Sequence, residues 1–386
     1  MKKSNTLLKN FDLKKYAMFI ALIAISVFFQ FTTDGILLAP INVSKLIMQN
    51  SYILILAVGM LPCVLTGDID LSVGSILALV GAITGTMIVT NGMPVGLTIV
   101  VCLLVGIVIG AWQGFWIAYF KVPAFIVTLA GMLIFRGLTM VILNGNTLGP
   151  FPASFQYVAQ EYLPTFGSPI PYETTLLVGL IVAALWLVNA FKVRAQQKKY
   201  GIEVSTYSVF LVKNIVMAGI FVFFAYWLTK FKGMPIIFIL LGIIAIVYSF
   251  ITNKTVLGRH IYALGGNEKA AKLSGIKTER IKFLVYVNSG FLAAVAGLIF
   301  AARLNAAGPT AGNGFELDAI AACYIGGASA TGGIGTVIGV IVGGLVMGVL
   351  NNGMSIMGIG IDWQMAIKGL VLLAAVAFDI YNQRKK

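Results

Sequence analysis

Apolar stretches close to 20 residues long recur from one end of this chain to the other, and nothing constrains its fold more. Each is long enough to cross about 30 Å of hydrocarbon as a helix. Only 10% of the 386 residues are charged and 59% are hydrophobic, whereas a soluble domain carries about 25% charged residues. A soluble fold cannot hide that much apolar surface, so lipid has to cover part of it. The expected fold class is an all-α polytopic membrane protein. About twelve spans are predicted, near 16–33, 43–66, 71–90, 95–119, 123–143, 173–191, 214–230, 235–251, 282–303, 316–330, 334–352 and 363–379. Those at 123–143, 316–330 and 334–352 are Gly-rich or short, which leaves a re-entrant segment open among them.

A net charge of +14 raises the question of nucleic acid, but its distribution answers differently. The first apolar run follows a Lys-rich start and is succeeded by Thr32-Thr33-Asp34-Gly35, not by a small-residue cleavage site. It reads as an uncleaved first span. An even span count puts both termini on one side. With that side as the cytoplasm, Lys2, Lys3, Lys9, Lys14, Lys15, Lys121, Lys192, Arg194, Lys198, Lys199, Lys213, the basic residues of 252–282 and Arg384-Lys385-Lys386 all fall inside. Only Lys45, Lys230, Lys232 and Arg303 fall outside, while Arg136 and Lys368 sit within spans. This asymmetry is the positive-inside pattern.

Two parts of the chain echo each other. Asp68-Ile69-Asp70-Leu71 opens a span, the strip Gly106, Gly110, Gly114 follows, and a later span holds Arg136-Gly137. Glu316-Leu317-Asp318 opens a second span, Gly339 and Gly343 follow, and a later span holds Lys368-Gly369. The predicted topology places Asp68 and Asp70 at a cytoplasmic helix start and Glu316 and Asp318 at an outer one. The units are therefore inverted, a common transporter build. Carboxylates at a helix start have a structural use, because they accept backbone N–H bonds and face the positive dipole end. Proton coupling would prefer a carboxylate near mid-membrane, and the predicted topology puts neither pair there. A cation inside a span is costly and pairs, faces a water-filled cavity or snorkels, which makes Arg136 and Lys368 pathway candidates. Asn144, Asn351 and Asn352, with Asn146, Ser355 and Gln364, are further polar residues available to a path. The glycine strips read as close helix packing.

The outer loop 144–172 holds Pro150, Pro152, Pro164, Pro169 and Pro171 with several aromatics. The prolines deny it helix along its length; an interfacial aromatic anchor and a docking face for an extracytoplasmic partner are equally open. Cys63, Cys102 and Cys323 lie in apolar runs without metal spacing, and His260 is the sole histidine. No metal site is expected.

The most informative loop is 252–282. Asn267 offers an N-cap, the tract to Leu273 consists of good helix formers, and Gly275 suits a helix end. A short amphipathic helix on the cytoplasmic side is predicted. Gly265-Gly266 is not a phosphate loop, because no Gly-x4-Gly-Lys-Ser/Thr occurs in the chain. Any ATP must be bound by another subunit.

Here a resemblance becomes specific. The run Gly265-Gly266-Asn267-Glu268 through Ala271-Lys272-Leu273-Ser274-Gly275-Ile276 resembles the cytoplasmic coupling segment of bacterial ABC-type sugar importer permeases of the ribose/xylose class. Gly67-Asp68-Ile69-Asp70-Leu71-Ser72-Val73-Gly74-Ser75 is similar to that family's early signature. Val122 to Gly131 and Glu316-Leu317-Asp318-Ala319-Ile320 resemble two more of its motifs. Two extra spans around Lys192 to Lys213, with Gly149-Pro150-Phe151-Pro152 and Asn351-Asn352-Gly353-Met354, look closest to the xylose-type, multiple-monosaccharide branch. Pro62-Cys63 departs from the aliphatic residues expected there.

The resemblance implies a single transmembrane permease domain over 1–386 with an inverted five-plus-five core. Its parts would be a cytoplasmic tail 1–15, a first repeat 16–143, the outer loop 144–172, an inserted pair of spans 173–230, a second repeat 231–379 containing coupling loop 252–281, and a tail 380–386. It implies no cofactor of its own, with ATP bound by a partner. The implied partners are a second permease copy, as a homodimer, an ABC ATPase subunit of fused double-cassette type, and an extracytoplasmic sugar-binding protein that carries most of the specificity for the monosaccharide. Gly266, Asn267, Glu268, Ala271, Leu273, Ser274 and Gly275 would dock into the ATPase, and Asp68, Asp70, Ser72, Gly74, Glu316 and Asp318 are the signature residues. The location would be the bacterial cytoplasmic (inner) membrane. A proton-coupled secondary sugar carrier, which needs no ATPase, is the competing expectation. A membrane-embedded enzyme would need a catalytic cluster at membrane depth, and the sequence offers none.

Overall fold

The computed structural model describes residues 13–384 except 168, 169, 171, 203 and 205. Lys2, Lys3, Lys9, Lys385 and Lys386 of the predicted basic tails, and Pro169 and Pro171 of the long loop, lie outside the described residues. Within them the chain is helical, with only isolated bridges at Leu148–Ala307 and Tyr162–Pro235. In order the helices are α1 (Leu13–Thr32), α2 (Pro40–Leu65), α3 (Val73–Gly85, extended by a π turn Thr86–Thr90), α4 (Val95–Ala118), α5 (Ala124–Leu143), α6 (Ala153–Gln160), α7 (Glu173–Lys199) and α8 (Tyr207–Thr229). They continue as α9 (Ile236–Lys254), α10 (Val256–Gly266), α11 (Glu268–Leu273), α12 (Thr278–Leu304), α13 (Phe315–Ile325), α14 (Val337–Ile356) and α15 (Ile361–Arg384).

Proline marks several starts. Pro40 begins α2, and Pro94, Pro123, Pro152 and Pro235 precede α4, α5, α6 and α9, where the missing N–H costs nothing. Asn144 and Asn305 end α5 and α12 in the left-handed conformation, a turn that asparagine tolerates better than most residues. Pro62 falls in the last turn of α2, and the helix runs unbroken through it.

Among the described residues, nine helices are long and apolar enough to cross a membrane. Of the other three predicted spans, α1 contributes the apolar stretch Met18–Thr32 and α15 is 24 residues long. The third, predicted at 316–330, is a correction: its helix α13 has only 11 residues, about 16 Å at 1.5 Å per residue. That reaches half the hydrocarbon thickness. The other two spans flagged as possibly re-entrant, α5 and α14, are full-length helices of 20 residues.

The packing is reciprocal. α2 packs on α13 and α14, and α12 packs on α3 and α4. Tyr52 stacks on Phe315 and Ala57 accepts from Cys323, so α2 and α13 run the same way. Asn50 faces Gly348 while Leu54 faces Gly344, so α14 runs against them. Likewise Asp70 meets Ser289 and Leu77 meets Gly297, which makes α3 and α12 parallel. Gly106 meets Gly290 and Gly114 meets Phe283, which makes α4 and α12 antiparallel. Helices α2 and α12 are thus equivalent in their neighbours and opposite in direction, which is the predicted inversion.

Glycine makes these crossings possible. A methyl on Gly106 would strike Ala294, and one on Gly110 would strike the Tyr286 carbonyl. Small residues let helix backbones approach this closely. In α14 the register differs from the sequence alignment: Gly339 and Gly343 face α13, while Gly344 and Gly348 face α2.

The windows of α2 and α14 are 83% and 72% buried, against 11% for α7 and 17% for α8. Helices α7 and α8 form a peripheral hairpin that packs mainly on itself and touches α2 through α8. Trp227 ties it to the core by donating to the Leu38 carbonyl at 2.9 Å. In the long loop, Phe151 and Phe155 are buried with their rings tilted against each other at 4.8 Å, and Gln160 donates to the carbonyls of Ala302 and Arg303. Those two aromatics plug the end of α12, while Tyr157 and Phe166 stay exposed.

Candidate functional site

The two acidic signatures meet. Phe315, the first residue of α13, stacks at 4.9 Å on Tyr52, halfway along α2. Helix α13 therefore begins at mid-depth. The expectation that Glu316 and Asp318 mark an outer face is corrected, because residues 305–314 first descend from the end of α12 without helix. A half-helix start and a membrane boundary have the same local chemistry, so sequence could not separate them. The start of α3 abuts this point: Gly74 and Gly312 face each other, and a side chain on Gly74 would strike both the Gly312 carbonyl and Glu316 Oε2. Two positive helix ends thus converge, each supplied with a carboxylate that offsets the dipole.

Asp70 is fully buried. Its Oδ1 accepts from the Ser72 N–H at 2.9 Å and from Ser72 Oγ at 2.6 Å, and its Oδ2 accepts from Ser289 Oγ at 2.6 Å. Gln113 Nε2 donates to Ser72 Oγ at 2.8 Å. Ser289 stands near the middle of α12. The expectation that neither acidic pair sits near mid-membrane is overturned for Glu316 and Asp318. Glu316 Oε2 is buried without a hydrogen-bond partner.

Both intramembrane cations grip the second break. Lys368 on α15 pairs with Asp318 at 3.0 Å. Arg136 on α5 donates to the Ala311 carbonyl in the descending segment. Neither merely snorkels. The three asparagines have more local surroundings. Asn144 is the exposed cap of α5. Asn352 exchanges amide bonds with Asn42 at 2.7 and 3.2 Å. Asn351 keeps a buried Oδ1 with no partner.

Beside the descending segment lies a cavity of about 310 Å³, bounded by Thr147, Phe300, Leu304, Thr310, Asn313 and Phe315, and no lining residue is charged.

The opposite end of the bundle carries α10 and α11. Asn267 Oδ1 accepts from the Ala270 N–H at 3.0 Å, which is the predicted N-cap, and Gly275 turns with φ +83° just past the helix. Ser274 Oγ donates back to Ala270. Gly266, Asn267, Glu268, Leu273, Ser274 and Gly275 are exposed, Leu273 at 90%, while Ala271 is the buried contact. Lys282 ties this helix to the first signature, 3.1 Å from Glu268 and 3.9 Å from Asp68. Burial raises the Asp68 carboxyl above its ordinary range, and the Lys282 ammonium pulls it back. The Lys272 ammonium is raised by its 2.8 Å bond to Glu279.

Helix α10 touches both repeats. Gly265 lies against the Leu65 carbonyl with no room for a methyl, and Gly333 of the α13–α14 connection donates to that same carbonyl at 2.9 Å. Tyr262 donates to the Gly335 carbonyl at 2.7 Å. Gln113, Tyr262, Lys282 and Ser289 were not singled out by sequence, since nothing local marks a side chain whose partner is distant. A signal did exist for the descending segment in Gly308-Pro309-Thr310-Ala311-Gly312-Asn313-Gly314, whose composition opposes helix.

The profile of a family described as the permease component of the branched-chain amino acid transport system matches residues 42–376. The chain is 42% identical over 379 residues to the xylose transport system permease protein of Escherichia coli, covering 98% of this chain and 94% of that one. It is 42% identical to the xylose transport system permease protein of Haemophilus influenzae, covering 98% and 99%. It is 37% identical to the ribose import permease protein of Bacillus subtilis, covering 89% and 85%. No solved structure matches significantly.

Proposed function

Since the chain belongs to this permease family, we propose that it forms the translocation path of an ATP-driven, binding-protein-dependent importer of monosaccharides, xylose or several pentoses and hexoses. The observation that carries the reading is the α10–α11 platform. It offers an exposed, capped helix with a bare Leu273, it is bonded through Lys282 to Asp68 and through Tyr262 to Gly335, and Gly265 lies against the Leu65 carbonyl, so it meets the junctions of both repeats. A cavity of about 610 Å³ opens beside it, lined by Asp68, Lys121, Asn267, Glu268, Lys272 and Lys282 among others. An ATPase seated here would move both repeats at once.

In this reading ATP is bound only by the partner, a fused double cassette, and the chain has no nucleotide site or cofactor of its own. A second copy completes the path, and an extracytoplasmic binding protein delivers the sugar to the opposite end. Both termini and the α10–α11 end face the cytoplasm of a bacterial inner membrane, which the distribution of Lys and Arg supports. Identity to xylose permeases over nearly the whole chain supports a sugar over the amino acid in the family's description.

The buried, unpartnered Glu316 Oε2 at mid-depth favours a second reading, proton-coupled sugar carriage. Proteoliposomes holding the assembled importer, with ATP on the ATPase side and the proton gradient collapsed, separate the two. Xylose uptake under these conditions is expected; its loss would reject ATP-driven import.

A further inference from the structure

We infer that the uncharged cavity beside the second helix break is a monosaccharide subsite on the permease itself, a station that receives the sugar between the binding protein and the inner face. The inference rests on the transport reading above and adds a place and a set of residues to it.

Irregular backbone at membrane depth persists only where protein buries it or a water-filled cavity meets it. Residues 305–314 are such backbone, since they lead down to Phe315 at the middle of α2. One side of the segment is held by Arg136 at the Ala311 carbonyl and by Gly74 against Gly312. Thr310 and Asn313 are exposed instead and line the 310 Å³ space, with Thr147 across it. Among the described residues no hydrogen bond engages the side chains of these three. They present two hydroxyls and a carboxamide to whatever fills the cavity. Phe300, Leu304 and Phe315 supply the apolar part of the wall.

This lining selects a chemical class. A sugar ring has hydroxyls around its edge and C–H faces, which suit Thr and Asn groups beside aromatic rings. A zwitterionic amino acid would bring a carboxylate and an ammonium into a wall that holds no opposite charge, at a desolvation cost. The volume lies at the small end of the ~300–1,000 Å³ typical of ligand pockets, which fits one ring and not a chain of them. Thr147 comes from the outer loop, which Leu148 ties to Ala307 by a pair of backbone bonds at 2.9 and 2.8 Å, so the loop and the descending segment form the site as one piece.

The test uses the complete importer of permease, ATPase and binding protein in proteoliposomes. Thr310→Val and Thr147→Val remove a hydroxyl while keeping shape, and Asn313→Leu removes the amide. Each is expected to lower xylose uptake at saturating loaded binding protein by roughly 5–10-fold, the loss typical of one hydrogen bond. Thr310→Ser should restore it. The ratio of xylose to ribose uptake should also shift, which a merely structural defect would not produce. Valine and leucine variants that assemble and transport like wild type with an unchanged ratio would overturn the subsite alone. A wild-type importer that moves no sugar would instead overturn the function reading and the subsite with it. Should Asn313→Leu not assemble, the two isosteric threonine variants decide the matter.

Discussion

The ammonium of Lys368 lies 3.0 Å from Oδ1 and 3.2 Å from Oδ2 of Asp318, joining the half-length helix α13 to α15 inside the bundle. In the first repeat the corresponding cation, Arg136, does not turn to Asp70. It crosses to the carbonyl of Ala311 in the other repeat. Both cations therefore secure the same segment, and the two breaks are not held alike.

Removing one member of the Lys368–Asp318 pair strands the other. Lys368→Met and Asp318→Leu should each cost about 3 kcal/mol, the low end for a buried pair because the lysine keeps some exposure. Combining them removes both charges and should recover most of the loss. Melting of the detergent-purified permease measures this; a double variant no more stable than the singles would refute the pairing.

Substitution at Gly110 tests the α4–α12 crossing. A side chain there meets the Tyr286 carbonyl and lies 2.9 Å from Val287 Cα. Gly110→Val should destabilise the permease by about 1–3 kcal/mol or more through overpacking. Gly137, with nothing within 4 Å, is the control: Gly137→Ala should be neutral or stabilising by up to about 1 kcal/mol. Fluorescence-detected size-exclusion after a heat step compares them, and equal sensitivity would contradict the close approach.

Coupling should depend on α10 separately from docking. Tyr262→Phe deletes the bond to the Gly335 carbonyl, worth about 1 kcal/mol, and Gly265→Ala forces α10 off the Leu65 carbonyl. ATPase binding should persist while sugar moved per ATP falls. If the transport-to-hydrolysis ratio stays at the wild-type value in both variants, α10 does not carry the motion.

Docking itself should depend on α11. Glu268→Lys breaks the pair with Lys282, and Ser274→Trp adds bulk on the exposed face. Both should weaken capture of the ATPase in a pull-down by an order of magnitude or so while leaving the permease melting temperature within a few degrees. Asn267→Ala, which loses an N-cap worth about 1 kcal/mol, should have a milder effect of the same kind. Undiminished capture by the first two variants would reject this face.

How much of this was legible in the sequence follows from the range of each signal. Apolar run length located the spans well: 95–119 became Val95–Ala118, and 123–143 became Ala124–Leu143. The cap at Asn267 and the turn at Gly275 were local and were read correctly. Depth was not local. Glu316 and Asp318 look like residues at a membrane boundary because a helix starts there, and only the stacking of Phe315 on Tyr52 shows that it starts halfway through. The partners of Arg136 and Asp70 lie 175 and 219 residues further along the chain, beyond any pattern a window can hold.

That last separation has a consequence for how the protein is made. Asp70 enters the membrane with α2 and α3, but the hydroxyl that donates to its Oδ2 belongs to Ser289 on α12, which emerges from the ribosome long afterwards. Until then Ser72 serves Oδ1 of the carboxylate and Oδ2 waits without its partner. Nor can either repeat be completed alone, because α2 needs α13 and α14 while α12 needs α3 and α4. Insertion must therefore hold the first half of the chain open in the bilayer, as an unclosed bundle, until the second half arrives to thread its helices between those already there.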